Sequence, residues 1–302
     1  MTLGLGLDAG GTATRWALAG PEGGVVAAGA APALSGLLFS DAARAQARAA
    51  IEVVAEAVRP HGVPAALLAG VTGLGEDTAE AKALAGMLAA AFGLPPARVR
   101  LADDMWIAHQ ARFAPGEGVL VYAGTGSAAV HVDRAGCAVR VGGLGHLIDD
   151  AGSGYAIGRD ALRAVLRAED AEPGSGWGWA LGRAVARTLG GASWATARRY
   201  AYGGDRGSMA ALAPAVAEAA QAGDPVALGV LQQAGRDLAA LARVLLRRVG
   251  AQPVALAGGA ARLHAAVPQA MRDALGEPVS TGEIDPAAAA ARVAAQYSRA
   301  PE

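Results

Sequence analysis

The sequence predicts an α/β protein built from two related halves. Short apolar runs of strand length alternate with longer stretches of helical periodicity, the pattern of sheets whose parallel strands are joined by helices. A strand–glycine turn–strand unit occurs at Leu3–Leu18 and again at Val119–Val132, which reads as an internal duplication. A further glycine pair, Gly258-Gly259, follows the strand-length run Val254–Ala257 and leads toward another helix.

Each element has its own justification. Leu3–Leu7 alternates as a strand, Asp8-Ala9-Gly10-Gly11-Thr12 turns, and a second strand runs through Trp16–Leu18. Asp41–Arg59 has helical periodicity, Ala66–Val71 is a short apolar strand, and Thr78–Phe92 is a second helix that Leu94-Pro95-Pro96 breaks. Val99–Leu101 is a strand that delivers Asp103 and Asp104 to the start of a helical stretch, Trp106–Phe113. Val119–Tyr122 and Ala128–Val132 flank the second turn, Ala123-Gly124-Thr125-Gly126-Ser127. The glycine-studded segment Val141–Gly158 leads into a helix from about Arg159, and residues 174–206 read as helices broken by loops. Asp224–Val249 is a long helix, and Pro286–Tyr297 is a helix of small residues. No low-complexity linker marks a boundary, so two intimately packed lobes are expected.

Composition narrows the function classes. Of 302 residues, 53% are hydrophobic and 18% charged, enough to build a substantial core. The longest stretch of small apolar residues, Gly23–Phe39, is rich in Ala and Gly, is interrupted by Pro32 and Ser35, and is unlike a membrane-spanning helix. The N-terminus lacks a basic leader region, so a cytoplasmic protein is expected. A net charge of −1 gives no pull toward nucleic acid or anionic membrane. The single cysteine, Cys137, excludes an intramolecular disulfide framework. Lys82 is the only lysine, so there is no lysine-bearing phosphate loop, and phosphate chemistry needs another cradle.

Asp8 through Thr12 offers such a cradle. Glycines let backbone N–H groups approach phosphate oxygens, a threonine hydroxyl adds a donor, and a carboxylate suits hydrated Mg²⁺. Gly124-Thr125-Gly126-Ser127 repeats the pattern. Either turn alone is also an ordinary hairpin.

Two such turns, followed by the Gly258-Gly259 element, resemble the actin, hexokinase and heat-shock-chaperone ATPase superfamily. Val141–Gly154, ending in Asp150-Ala151-Gly152-Ser153, is similar to a segment of the N-acetylglucosamine and glucosamine kinases. Those kinases share the BadF/BadG/BcrA/BcrD family with the ATPase subunits of benzoyl-CoA reductase. The resemblance covers nearly the whole chain. It implies two ribonuclease H-like lobes with a nucleotide cleft between them: residues 1–105 joined by 286–302, and residues 106–285. It further implies ATP and Mg²⁺ as cofactors, a small amino sugar as substrate, and a homodimer. Asp8 would organise Mg²⁺ through water. Gly10, Gly11, Thr12 and Gly124, Thr125, Gly126, Ser127 would bracket the phosphates, while Gly258 and Gly259 would admit the adenosine. Asp103 would be the base for the C6 hydroxyl. Thr72, Gly73, Asp104, Gly143 and Asp150 would line the sugar pocket.

Other roles stay open at several of these positions. Asp103 and Asp104 are each suited to cap the following helix, and Asp104 is the residue assigned that task. Thr72 can also be a turn cap, and Asp150 a solvated loop residue. Leu144, Ala151 and the loop Leu34–Leu38 depart from the N-acetyl-sugar pattern and bear on which sugar is used. Trp177, Trp179 and Trp194 are expected to pack the lobe. The alanine-rich C-terminal helix would let connecting helices cross closely. Two other readings of the chain are an ATPase module of a reductase or dehydratase activator, which holds an iron–sulfur cluster through two cysteines per subunit, and a non-catalytic sugar or nucleotide sensor.

Overall fold

The computed structural model describes residues 2–10, 13–75 and 78–297. The chain divides into two compact units, one of Met1–Ala114 with Ile284–Glu302 and one of Pro115–Glu283.

The first unit is built on strands β1 (Gly4–Ala9), β2 (Thr14–Ala19), β3 (Val25–Ala31), β4 (Ala66–Val71) and β5 (Val99–Asp103), in the sheet order β3-β2-β1-β4-β5. The hairpin strands β1, β2 and β3 pair antiparallel, and β1, β4 and β5 pair parallel. Its helices are α1 (Asp41–Val58), α2 (Ala79–Phe92) and α3 (Asp104–Gln110). Ser40 and Thr78 cap α1 and α2 by accepting the Ala43 and Ala81 amides, and left-handed Gly93 ends α2 ahead of the prolines. Alternation along the strands sets the two faces of the sheet. Leu5, Leu7, Trp16 and Leu18 join Ile51, Val54, Leu84 and Leu88 in one core.

On the opposite face the C-terminal helix, Pro286–Tyr297, lies directly on β1. A Cβ at Gly4 or Gly6 would overlap its backbone at Ala295 and Ala287, so small residues on both elements are needed for this approach. Ile107 of α3 packs over Gly70 and against Ala290 and Ala294 of the same helix. Because α3 packs against the C-terminal helix and β4, the first unit extends to Ala114, beyond the boundary at residue 105 read from the sequence.

The second unit carries β6 (Val119–Ala123), β7 (Ser127–Val132), β8 (Ala138–Gly142), β9 (Val254–Ala257) and β10 (Val279–Thr281), ordered β10-β9-β6-β7-β8. Strands β6, β7 and β8 are antiparallel, and β6, β9 and β10 are parallel. Read from the other end, this is the order and orientation of the first sheet, which is the topological form of the duplication seen in the sequence. Its helices are α4 (Gly154–Ala171), α5 (Ser175–Gly178), α6 (Ala180–Leu189), α7 (Trp194–Gly203), α8 (Arg206–Ala210), α9 (Ala213–Gln221), α10 (Pro225–Val249), α11 (Gly259–Arg262) and α12 (Ala266–Leu275). The buried Asp224 carboxylate joins two of them, accepting the Val226 and Ala227 amides at the start of α10 and the Leu181 amide in α6.

Three strands escaped the sequence reading. β3 is built mostly of small alanines, exposed except at Ala27 and Ala31, so it shows no hydrophobic alternation; β8 lies within the glycine-studded segment, and β10 is three residues long. Helix α4 starts at Gly154, not near Arg159, because the buried Ser153 accepts the Ala156 amide and caps it. Trp177 packs against the core, but Trp194 is 63% exposed with the Arg198 guanidinium over its ring, so it does not pack the lobe. Among the described residues no helix is long and apolar enough to cross a membrane.

Candidate functional site

In the first unit the parallel register gathers the predicted residues at one edge of the sheet. Ala9 is opposite Val71, and Val71 is opposite Asp103, so Asp8, Thr72-Gly73 and Asp103-Asp104 all sit at the carboxyl ends of β1, β4 and β5. This is the edge at which open α/β sheets bind their ligands. The Thr72 amide donates to the Ala9 carbonyl at 3.0 Å, tying the two strand ends together. The Gly36 amide donates to the Thr72 carbonyl, also at 3.0 Å, so the Leu34–Leu38 loop is seated beside Thr72 and Gly73. Gly73 has φ +71 and faces Leu37, two reasons for glycine there. The Gly10 amide closes the first turn onto the Ala13 carbonyl at 3.1 Å; Gly11 and Thr12 lie outside the described residues.

Asp103 caps α3, its Oδ1 accepting the Met105 amide at 2.9 Å, and Asp104 is the first helical residue. The cap assigned to Asp104 from the sequence therefore belongs to Asp103, because Asp103 retains the extended backbone of β5. The Asp8 carboxyl is pushed up to about 6, chiefly by burial and then by the neighbouring Asp104 charge; Arg15, opposite it on β2, works against the shift, and Asp285 adds to it. Asp285 was not singled out in the sequence. It starts the C-terminal helix, accepting the Ala288 amide at 2.9 Å, and the Asp-Pro pair at 285–286 was the signal available for it.

The second unit builds its own cradle. Tyr122 of β6 is opposite Ala257 of β9, so the turn Gly124–Ser127 and the pair Gly258-Gly259 stand side by side at the carboxyl ends of parallel strands. Gly258 has φ +99, and a Cβ there would overlap the Ala123 carbonyl. The segment following β8 wraps this turn. The Gly143 amide donates to the Ser127 carbonyl at 2.9 Å, the Ser127 hydroxyl to the Ala151 carbonyl at 2.7 Å, and the Gly154 amide to the Gly124 carbonyl at 2.8 Å.

Asp150 is the unusual member. It is 3% exposed, which excludes the solvated-loop alternative, and it is the one non-glycine residue with positive φ (+63) among the described residues. Its Oδ1 accepts the Ser127 amide at 3.4 Å, while its buried Oδ2 has no hydrogen-bond partner. A Cβ on Gly126 would stand 2.9 Å from that Oδ2, so glycine makes room for the carboxylate. A left-handed backbone and an unsatisfied buried acceptor at one residue make Asp150 a candidate for contact with a bound molecule.

Such a molecule, two α/β units of one topology each ending in a glycine turn at the carboxyl edge of its sheet, has the fold of actin-like ATPases and sugar kinases. The chain belongs to the BadF/BadG/BcrA/BcrD ATPase family, whose model matches residues 5–295. It is 29% identical to a provisionally assigned N-acetylglucosamine kinase from Chromobacterium violaceum of known structure, with a TM-score of 0.74 over 98% of this chain and 99% of that one. Shorter stretches are similar to two further proteins. One is the N-acetylmuramic acid/N-acetylglucosamine kinase of Clostridium acetobutylicum, 38% identical over 24% of each chain. The other is the N-acetyl-D-glucosamine kinase of Dictyostelium discoideum, 49% identical over 18% of this chain and 17% of that one. The matched stretches thus span a quarter or less of the length of these two relatives.

Proposed function

We propose that the protein is a cytoplasmic ATP-dependent kinase that phosphorylates an amino sugar, N-acetylglucosamine or glucosamine, at its C6 hydroxyl. The observation that carries this reading is the register of the first sheet, which gives Asp8, Thr72 and Asp103 one common edge. The full-length similarity to the Chromobacterium violaceum protein supports it.

Asp103 is the general base. Its cap bond to the Met105 amide fixes the carboxylate at the strand end, where it takes the C6 hydroxyl proton as that oxygen attacks the γ-phosphorus. Gly10, Gly11, Thr12 and Gly124–Ser127 offer amides and hydroxyls to the phosphate oxygens, and Gly258 and Gly259 leave bare backbone for the adenosine. Thr72, Gly73, Asp104, Gly143 and Asp150 hold and orient sugar hydroxyls. The unpartnered Asp150 Oδ2 has the chemistry to accept one of them.

The donor set around Asp8 fits Mg²⁺. Among the described residues no group of three or more His, Cys, Asp or Glu side chains could cage a metal, but Mg²⁺ keeps several waters and needs only one or two carboxylates. The carboxylates of Asp104 and Asp285 make the Asp8 position electronegative, so Asp8 would hold the hydrated ion. When bound, Mg²⁺ supplies neutralisation of the charge on the transferring phosphate.

Coupled ADP release measured with N-acetylglucosamine, glucosamine, N-acetylmuramate, N-acetylmannosamine and glucose tests the reading. An amino sugar is expected to stimulate turnover, and Asp103→Asn to abolish transfer while leaving ATP binding intact. No stimulation by any of the five would overturn the kinase assignment; loss of transfer in Asp104→Asn but not in Asp103→Asn would move the base to Asp104.

A further inference from the structure

The strand that leads into the segment around the second turn places a guanidinium against residues assigned to the sugar. Arg140 stands on β8 opposite Val130 of β7. Its Nη2 donates to the Gly143 carbonyl at 3.3 Å. Gly143 has φ +68, and a Cβ there would overlap the same guanidinium, so glycine at this position lets Arg140 rest on bare backbone. The Gly143 amide is bonded to the Ser127 carbonyl, while the Ser127 amide donates to Asp150 Oδ1. One residue, Ser127, therefore ties the Asp150 carboxylate to the backbone on which Arg140 lies. A second cation reinforces the first, since Arg248 at the end of α10 donates to the Arg140 carbonyl at 3.0 Å. The residue that follows Gly143, Leu144, is 61% exposed and offers an apolar surface beside the charge.

We infer that Arg140 is a specificity-determining residue and that the amino sugar taken by this site carries a carboxylate on a short alkyl arm, an inference that rests on the kinase reading above and narrows its substrate class. A guanidinium stays charged throughout the physiological range and presents its N–H donors in a planar fork that matches a carboxylate. A neutral sugar gives that charge nothing to pair with, and its hydroxyls are already provided for by the unpartnered Asp150 Oδ2. Arg140 is exposed, so a substituent can reach it, and a bound substrate that shields the pair from water strengthens the attraction. The alkyl arm that joins the carboxylate to the ring would lie on Leu144.

Calorimetric titration of the full chain with N-acetylmuramate, its methyl ester and N-acetylglucosamine tests the assignment, with Mg²⁺ and a non-hydrolysable ATP analogue present. The three share one ring; the ester keeps the arm without the charge, and N-acetylglucosamine lacks both. In the wild type the free acid is expected to bind at least about tenfold more tightly than either neutral sugar. Arg140→Gln is expected to abolish that ratio, and Arg140→Lys to retain part of it. The ratio is the readout because an Arg140 that merely steadied Gly143 would weaken all three sugars alike. An ester as tight as the acid, a wild-type ratio that survives Arg140→Gln, or a loss confined to ATP affinity would overturn the assignment. Coupled ADP release with the same sugars separates the two readings. An Arg140-dependent preference for the acid without turnover would overturn the kinase reading alone. Turnover of N-acetylglucosamine with no preference for the acid would overturn the role of Arg140 alone, and no binding of any of the three would overturn both.

Discussion

Asp8→Asn should stabilise the free protein at neutral pH and not at acid pH. The Asp8 carboxyl is raised from 3.8 to about 6 in the fold. Because its folded value lies above its unfolded value, its contribution to stability is fully present below pH 3.8 and is lost as pH rises through 6. At about 1.4 kcal/mol per pH unit, the interval from 3.8 to about 6 corresponds to a loss of about 3 kcal/mol above pH 6. Water at this half-buried position trims that figure, so about 2–3 kcal/mol is the working expectation. Asparagine keeps the shape and removes the ionisation. Urea unfolding of wild type and Asp8→Asn at half-unit steps from pH 4 to 8, in EDTA, reads the difference directly. The gap should open between pH 4 and 6 in favour of the variant and stay level above. Adding millimolar Mg²⁺ at pH 7.5 should narrow it by favouring the ionised wild-type carboxylate. A gap independent of pH, or one that favours the wild type near pH 7.5 in EDTA, would refute the account of Asp8 as a buried carboxylate held among like charges.

Gly70→Ala should cost about 1–3 kcal/mol because its methyl enters the space of the Ile107 side chain. Combining it with Ile107→Ala should be less harmful than the two single losses added, by about 1 kcal/mol or more in a double-mutant cycle; losses that add within about 0.5 kcal/mol would disprove the contact. Asp150→Gly should leave thermal stability equal or higher, since it removes both a positive-φ side chain worth about 1 kcal/mol of strain and an unsatisfied buried oxygen. The same variant should lose sugar-stimulated turnover; a marked fall in melting temperature would show that Asp150 is a structural residue.

What the sequence disclosed and what it withheld follow from the range of the interactions involved. The parallel strands β1, β4, β6 and β9 were legible because each is a short apolar run with its turn signal beside it. The capped starts of α1 and α2 and the long α10 were equally local. β3 was hidden because its run of small alanines carries no hydrophobic alternation, and the start of α4 because glycine at its first position disguises a Ser153 cap. Asp103 could be placed at a strand end, but which of two adjacent carboxylates caps the helix depends on where β5 stops, a property of sheet pairing. Asp150 could be singled out as a candidate from its place in the Val141–Gly154 segment. Its burial and its contact with Gly126 and Ser127, far away in the chain, depend on how the segment after β8 folds back over the turn.

The duplication itself clarifies why the two turns are not interchangeable. Superposing the hairpins by register places Tyr122 of β6 where Asp8 stands in β1, since Asp8 and Tyr122 each precede the last residue of their strand. The second turn therefore has no carboxylate from its own strand. It acquires one from outside, when the segment after β8 carries Asp150 against Gly126. The two carboxylates are held by different means. Asp8 is fixed in a strand with Arg15 opposite and acidic neighbours that raise its pKa. Asp150 is held in a left-handed loop residue whose Oδ1 accepts the Ser127 amide. A strand-borne carboxylate in an electronegative setting suits a hydrated cation. A carboxylate with one engaged and one unsatisfied oxygen suits a neutral hydroxyl donor, which can satisfy that oxygen without needing a compensating charge. Asp8→Asn should lower the affinity for Mg²⁺ while leaving sugar affinity near wild type, and Asp150→Asn should do the reverse. Titrations of metal and sugar against both variants would refute this division if each variant altered both affinities equally.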